Sequence, residues 1–203
     1  MLTRRHIIRL PAIAALASPA MALAEQAPDH TSIITTARLA LQRHRAQVIQ
    51  MDRIGIADFS QPSSRPRFHI LDVNSGRLHS VLVAHGKGSD PAHTGWLKSF
   101  SNLPGSEATS KGAFLTADAY TGKHGWSRRL AGLDPDNSNA FSRAIVIHSA
   151  WYVNEDMARA GKLGRSQGCF AFSKKDHTAI MDLLGPGSLI ISAIADTKRP
   201  QFT

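Results

Sequence analysis

The chain has a single cysteine, Cys169, which excludes an internal disulfide and leaves either packing or chemistry to explain the residue. Its histidines are scattered, with no His-x-x-x-His pair and no glutamate-bearing zinc motif, so no metal is expected and no other cofactor is called for. Acids are scarce, 15 against 24 Lys and Arg, for a net charge of +9. No aromatic-interleaved basic run or nucleic-acid module accompanies that charge, so nucleic acid is not an expected partner; an anionic envelope polymer, an acidic substrate or simple solubility remain. Beyond the first residues, no apolar run reaches the roughly 18 residues of a membrane helix. Internal repeats and composition shifts are also missing, which points to one main domain.

At the N-terminus, Arg4, Arg5 and Arg9 flank an apolar stretch from Ile7 to Leu23 that is broken by Pro11 and Pro19 and closed by Ala22-Leu23-Ala24. This pattern predicts a signal peptide over residues 1–24, by the Sec or the twin-arginine route. Its removal takes three arginines and no acid, lowering the charge from +9 to +6. The remaining protein is expected to start near Glu25 with no stable membrane insertion.

Apolar residues at helical spacing predict an amphipathic helix from Ser32 to Asp52, within an N-terminal helical segment over 25–66. The main domain follows over 67–203. Phe68 to Val73 and Leu78 to His85 form a hairpin around Asn74-Ser75-Gly76. Gly86 to Gly112 reads as a long loop, Gly112 to Tyr120 as a strand, Thr121 to Ser142 as a polar span and Arg143 to Ser149 as a strand. Ser173 caps a helix from Lys174 to Leu184 that Gly185 and Pro186 stop, and a last strand runs from Ser188 to Ile194. The fold class is mainly β with peripheral helices.

A cysteine nucleophile needs a base or a positive field, because a free thiol holds little thiolate near neutral pH. His148, closing the apolar run Arg143-Ala144-Ile145-Val146-Ile147, and Arg165, in Gly164-Arg165-Ser166-Gln167-Gly168-Cys169, supply both. Gly168 permits a sharp turn, and N–H groups around Gly168 and Cys169 are candidates to hold an oxyanion. Spacing alone also fits an inert core cysteine and a structural histidine.

The block Ile147-His148-Ser149-Ala150-Trp151-Tyr152-Val153 with Gly164-Arg165-Ser166-Gln167-Gly168-Cys169 resembles the active-site segment of the YkuD-like L,D-transpeptidases. It is similar in particular to a proteobacterial branch of murein L,D-transpeptidase catalytic domains. That branch shows runs like His85-Gly86-Lys87-Gly88-Ser89, Phe100-Ser101-Asn102, Tyr120-Thr121-Gly122-Lys123-His124-Gly125-Trp126-Ser127 and Leu130-Ala131-Gly132-Leu133. The resemblance covers about residues 67 to 195.

It implies a β-sandwich-like domain in which Cys169 attacks a peptide carbonyl, His148 handles protons and the Ser149 carbonyl orients the imidazole. It also implies a periplasmic location and peptidoglycan stem peptides as partners. Arg165, Ser166 and Gly168 match the family's segment; Gln167 stands where commoner members carry a second histidine, and it cannot titrate. Arg165, Ser166 and Gln167 are expected to contact substrate, and Tyr120, Lys123 and His124 are candidates to bind its carboxylates.

The implied reaction passes an acyl group through a thioester to a second stem's amine, making links between diaminopimelates or from L-alanine to diaminopimelate (1-3 rather than 3-3). Water as acceptor would make the protein an L,D-carboxypeptidase or endopeptidase. A non-catalytic wall-binding module is the alternative from another class. His85 and Ser89 are expected to fix the long loop, Arg143 to be a surface or supporting charge, and Trp151 to pack, although Trp96, Trp126 and Trp151 together also suit stacking on sugars.

Overall fold

The structure, a computed structural model, describes residues 30–195. The expected signal peptide lies outside them. Eight strands form one continuous mixed sheet: β1 (Gln50–Asp58), β2 (Phe68–Asp72), β3 (Leu78–Val81), β4 (Gly112–Gly122), β5 (Gly125–Gly132), β6 (Val146–Ser149), β7 (Phe170–Phe172) and β8 (Ser188–Ala193), in the order β3-β2-β1-β8-β4-β5-β6-β7. Its ends meet through a bridge between Ala84 and Ala171, so the expected sandwich is one sheet folded onto itself. Helices α1 (Thr31–Arg43), α2 (Glu155–Arg159) and α3 (Lys174–Leu183) flank it, as the mainly β reading expected.

Alternation along β1 and β8 places the layers. Ile54, Ile56, Leu189 and Ile191 face α1, where they bury Ile33 and Ala37. Ala57 and Ile190 point the other way, into a core built from Phe59, Phe68, Phe114, Leu130, Ile147, Phe170 and Phe172 that α3 closes with Ile180, Met181 and Leu184. The third cluster, Leu82, Ala84, Val153, Leu163 and Ala171, packs Met157 and Ala158 of α2 over the sheet closure.

Several boundaries differ from the sequence reading. The N-terminal helix ends at Arg43, and residues expected to continue it to Asp52 enter β1, which lies in the middle of the sheet between β2 and β8. Gly55 obscured this strand. Its absent side chain makes room for Phe68 and Leu184, whose atoms lie 2.8 Å from where a Cβ would sit.

The polar span from Thr121 contains β5, whose Arg128 is buried because its guanidinium donates to the carbonyls of Ala117 (2.9 Å) and Met181 (3.1 Å). The hairpin at Asn74-Ser75-Gly76 and the cap on α3 form as read: Gly76 has φ +72°, and the Ser173 hydroxyl accepts from the Asp176 N–H at 3.0 Å.

Gly55→Ala is expected to cost about 1–3 kcal/mol by overpacking Phe68 and Leu184. Urea unfolding followed by tryptophan fluorescence measures it; an unchanged midpoint would remove the packing reason for the glycine.

Candidate active site

β6 and β7 run parallel, with Ile147 level with Phe170 and His148 level with Ala171. Cys169 immediately precedes β7. It therefore sits one strand across and two residues back from His148 on the same face, about 8 Å between Cα atoms at ordinary strand spacing. An imidazole and a thiol can bridge that span.

The turn carrying the thiol is fixed from within. Gly168 has φ +111°, and a Cβ there would meet the Ala108 carbonyl oxygen at 2.7 Å. The buried Ser166 hydroxyl donates to the Cys169 carbonyl at 2.7 Å and accepts from the Gly168 N–H at 3.1 Å. Gly168's N–H is thus committed, contrary to its expected availability for an oxyanion, and of the pair named from the sequence the Cys169 N–H is the remaining candidate. Ser166 is anchored in turn by its N–H to the His85 carbonyl (2.9 Å) and by the Lys87 N–H to its own carbonyl (2.8 Å).

His148 is buried, and its Nδ1–H donates to the Ser149 carbonyl at 3.0 Å, which leaves Nε2 as the basic nitrogen. Burial pushes its pKa down to about 4; the Ser149 carbonyl opposes this, while His124, His177 and Lys123 add to it. Burial pushes the half-buried Cys169 thiol up, against the Val146 N–H and the positive charges of Lys123 and Arg143. The thiol donates to the Ala144 carbonyl at 3.7 Å. Both shifts favour neutral thiol beside neutral imidazole over an ion pair.

The β4–β5 hairpin overhangs the site. His124 at its tip stacks on His148 with ring centroids 4.4 Å apart, and Lys123 reaches both His148 and Cys169 electrostatically. Tyr120 lies lower on β4, its ring under the Arg129 guanidinium at 5.0 Å.

The other residues named from the sequence are held by protein groups. Arg165 donates to the carbonyls of Asp90 and Pro91, and Gln167 donates to Glu107 Oε1 at 2.8 Å. His85 belongs to a buried chain: Arg67 donates to its Nδ1 at 2.6 Å, and its Nε2 is 3.4 Å from Asp90 Oδ2, too long for a good hydrogen bond. The Ser89 hydroxyl accepts from the Thr109 N–H at 2.9 Å, in keeping with a loop-fixing role.

Two neighbours of the thiol had no signal in the sequence beyond their place in the motif or beside it. Tyr152 is held protonated, its pKa pushed up to about 12 by burial and then by the Cys169 charge. Arg143 donates to Ser101 O, Ser110 Oγ, Ser106 Oγ and Ala108 O, pinning the 101–110 loop beside Gly168. Trp151 does not pack as expected; it is 84% exposed and touches Tyr152 edge-on at 5.8 Å.

A cleft of about 830 Å³ between β3, α2 and the start of α3 contains neither Cys169 nor His148. A second, about 490 Å³, adjoins the cysteine turn and is lined by Glu107, Arg143 and Gln167. Among the described residues, no cluster of three or more His, Cys, Asp or Glu is placed to hold a metal, and no helix is long and apolar enough to cross a membrane.

Residues 26–192 match the L,D-transpeptidase catalytic domain family, and the chain belongs to it. No curated protein matches the chain. Among solved structures it is similar to an L,D-transpeptidase from Mycobacterium smegmatis (15% identity, TM-score 0.44, 70% of this chain and 58% of that one). It is also similar to an L,D-transpeptidase from Mycobacterium tuberculosis H37Rv (15%, 0.44, 70% and 57%). A third is the helical cell shape determining protein Pgp2 from Campylobacter jejuni (10%, 0.48, 84% and 59%). The chain spans about three fifths of the length of these structures, and likeness at this level carries over no residue role.

His69, His85 and His148 are all buried with pKa values near 4. Each is neutral in the fold and takes up a proton on unfolding below its ordinary value of about 6.5, so its stabilisation is complete above that pH and is lost as pH falls towards 4, at most about 3 kcal/mol per ring. Urea unfolding at pH 7 and 4.5 is expected to show a much lower midpoint in acid. Equal midpoints would mean these rings are already charged in the fold.

Proposed function

We propose that the protein is an exported cysteine L,D-transpeptidase acting on peptidoglycan stem peptides, of the proteobacterial branch its sequence resembles, working in the periplasm after loss of residues 1–24. The observation that carries this reading is the placement of Cys169, immediately before β7, one strand across and two residues back from a buried His148 whose Nδ1–H is committed to the Ser149 carbonyl, inside a chain of the L,D-transpeptidase catalytic domain family.

The stem's L,D bond lies against Cys169. His148 Nε2 accepts the thiol proton as sulfur attacks the carbonyl, and the Cys169 N–H receives the developing oxyanion. The imidazolium then gives its proton to the departing amine, leaving a thioester. A second stem's amine attacks the thioester, the C–S bond breaks, and the nitrogen's proton passes through Nε2 to the thiolate. Lys123 and His124 hold the donor's carboxylates from the hairpin above. No metal or other cofactor is involved in this scheme. Both 3-3 and 1-3 links fit this chemistry, the latter by attack at the bond from L-alanine to D-glutamate; a stem-trimming hydrolase differs only in using water.

Cys169→Ser and Cys169→Ala are each expected to abolish product formation in folded protein, and His148→Ala to come close. Incubating the protein with defined muropeptides and resolving products by mass spectrometry is decisive. Crosslinked dimers support transpeptidation, shortened monomers support hydrolysis, and turnover surviving in both cysteine variants would remove Cys169 from the mechanism.

Because burial holds His148 near 4, the base stays unprotonated through mildly acid pH. The acid limb of kcat/KM in the free protein is expected near pH 4, with activity falling as pH drops through it. A limb at the ordinary histidine value of about 6.5 would contradict the buried, neutral imidazole.

A further inference from the structure

One face of His148 is covered by an exposed ring. His124, in the turn of the β4–β5 hairpin, lies over it with centroids 4.4 Å apart and planes 25° apart, while His148 itself is 2% exposed. A surface residue thus helps to close a buried one from water.

The fold brings that ring there and braces it. The β4–β5 register shifts between Thr116 and Ala119, an irregularity of the kind that bends a hairpin and re-aims its tip. At this point the buried Arg128 donates to the carbonyl of Ala117 on β4 and to that of Met181 on α3, tying the hairpin to the helix. Nearer the tip, the Trp126 ring stands edge-on to His177 of α3 at 6.0 Å. Two contacts with α3 therefore support the hairpin end that carries His124.

His148 has one hydrogen bond of its own, from Nδ1–H to the Ser149 carbonyl at 3.0 Å, which fixes one edge of the imidazole but leaves the ring free to tilt about it. A ring stacked on its face sets the plane. The same cover excludes water that would otherwise solvate the charged form. The titratable groups around His148 are His124 and Lys123 from the hairpin, His177 from α3 and, from the turn before β7, Cys169; after burial itself, the three basic ones each disfavour a proton on it. His124 is shifted down as well, by burial and then by Lys123, so neutral ring lies on neutral ring.

We propose that His124 is a positioning residue for His148, its ring face being the cover that sets the plane of the base and keeps water from it. This role uses the face of the ring and leaves its edge to the donor carboxylate. It rests on the reading of His148 as the base, and its first test needs no turnover.

That test is nitrogen-15 NMR of the full-length protein labelled at histidine, with the His148 signals assigned against a His148→Gln spectrum. In the parent, His148 is expected to stay neutral down to about pH 5 with its proton on Nδ1. In His124→Ala the midpoint is expected to rise by at least about one unit, a tenfold stronger hold on the proton, and the Nδ1–H tautomer to lose its dominance. His124→Phe keeps a flat face and carries no charge, and its midpoint is expected within about half a unit of the parent's. Lys123→Met, which removes a charge and no cover, is expected to move His148 less than His124→Ala does. With active protein, the acid limb of kcat/KM is expected to rise with the NMR midpoint in His124→Ala and to stay with the parent's in His124→Phe.

An alanine variant in which His148 titrates as in the parent would overturn the cover, and so would a phenylalanine variant that follows alanine. A raised midpoint with an unmoved acid limb, in protein that still crosslinks, would show that His124 does not act through the base. Midpoints that shift as expected in protein that forms no thioester would uphold the cover and refute the transpeptidase reading.

Discussion

Arg67 has no exposure to water, so its donors must find partners within the protein: the carbonyls of Val83 and Gln61, and the imidazole of His85, with Phe59 beneath the guanidinium at 4.8 Å. A buried charge left unpaired would cost several kcal/mol, which makes this arrangement nearly compulsory once the arginine is inside. Burial brings Arg67 down to about 9, opposed by the charges of Asp58 and Asp90. Its consequence runs outward. A fixed His85 presents its carbonyl to Ser166, and Ser166 shapes the turn that holds Cys169. The thiol's turn is thus held by a polar network that does not include its proposed base.

The site's electrostatics differ from those of a preformed thiolate–imidazolium pair. Burial favours the uncharged form of each partner, raising the thiol and lowering the imidazole. The His124 ring over His148 deepens that effect by covering the imidazole's face and adding a titratable neighbour. Charge separation in such a site must be drawn out by the bound substrate, which favours reaction only when a carbonyl is in place.

Legibility in the sequence followed the range of the contacts. The hairpin turn at Gly76, the Ser173 cap and the apolar strand ending at His148 depend on neighbours along the chain, and the sequence exposes them. β1 and β5 escaped because their deciding contacts are distant: Gly55 is small to admit Phe68 and Leu184, and Arg128 is tolerated inside because Met181 offers a carbonyl. At the site, the motif exposed the candidates Cys169, His148 and Gly168. It did not reveal that Ser166, Arg165 and Gln167 hold protein groups, nor that Glu107 and Tyr152 stand nearby, because sequence spacing carries no information about which loops meet.

The place of β8 in the sheet has a consequence for how the chain acquires its structure. This strand, among the last in sequence, lies between β1 and β4 and joins the β1–β3 meander to the β4–β7 half. Until Ser188–Ala193 is available, each half has an open edge where β8 belongs, and the parallel pairing of Ile54 with Leu189 must close a loop of nearly the whole domain. A chain ending before β8 would lack the partner of both edges, so closure of the sheet at this seam waits on that strand.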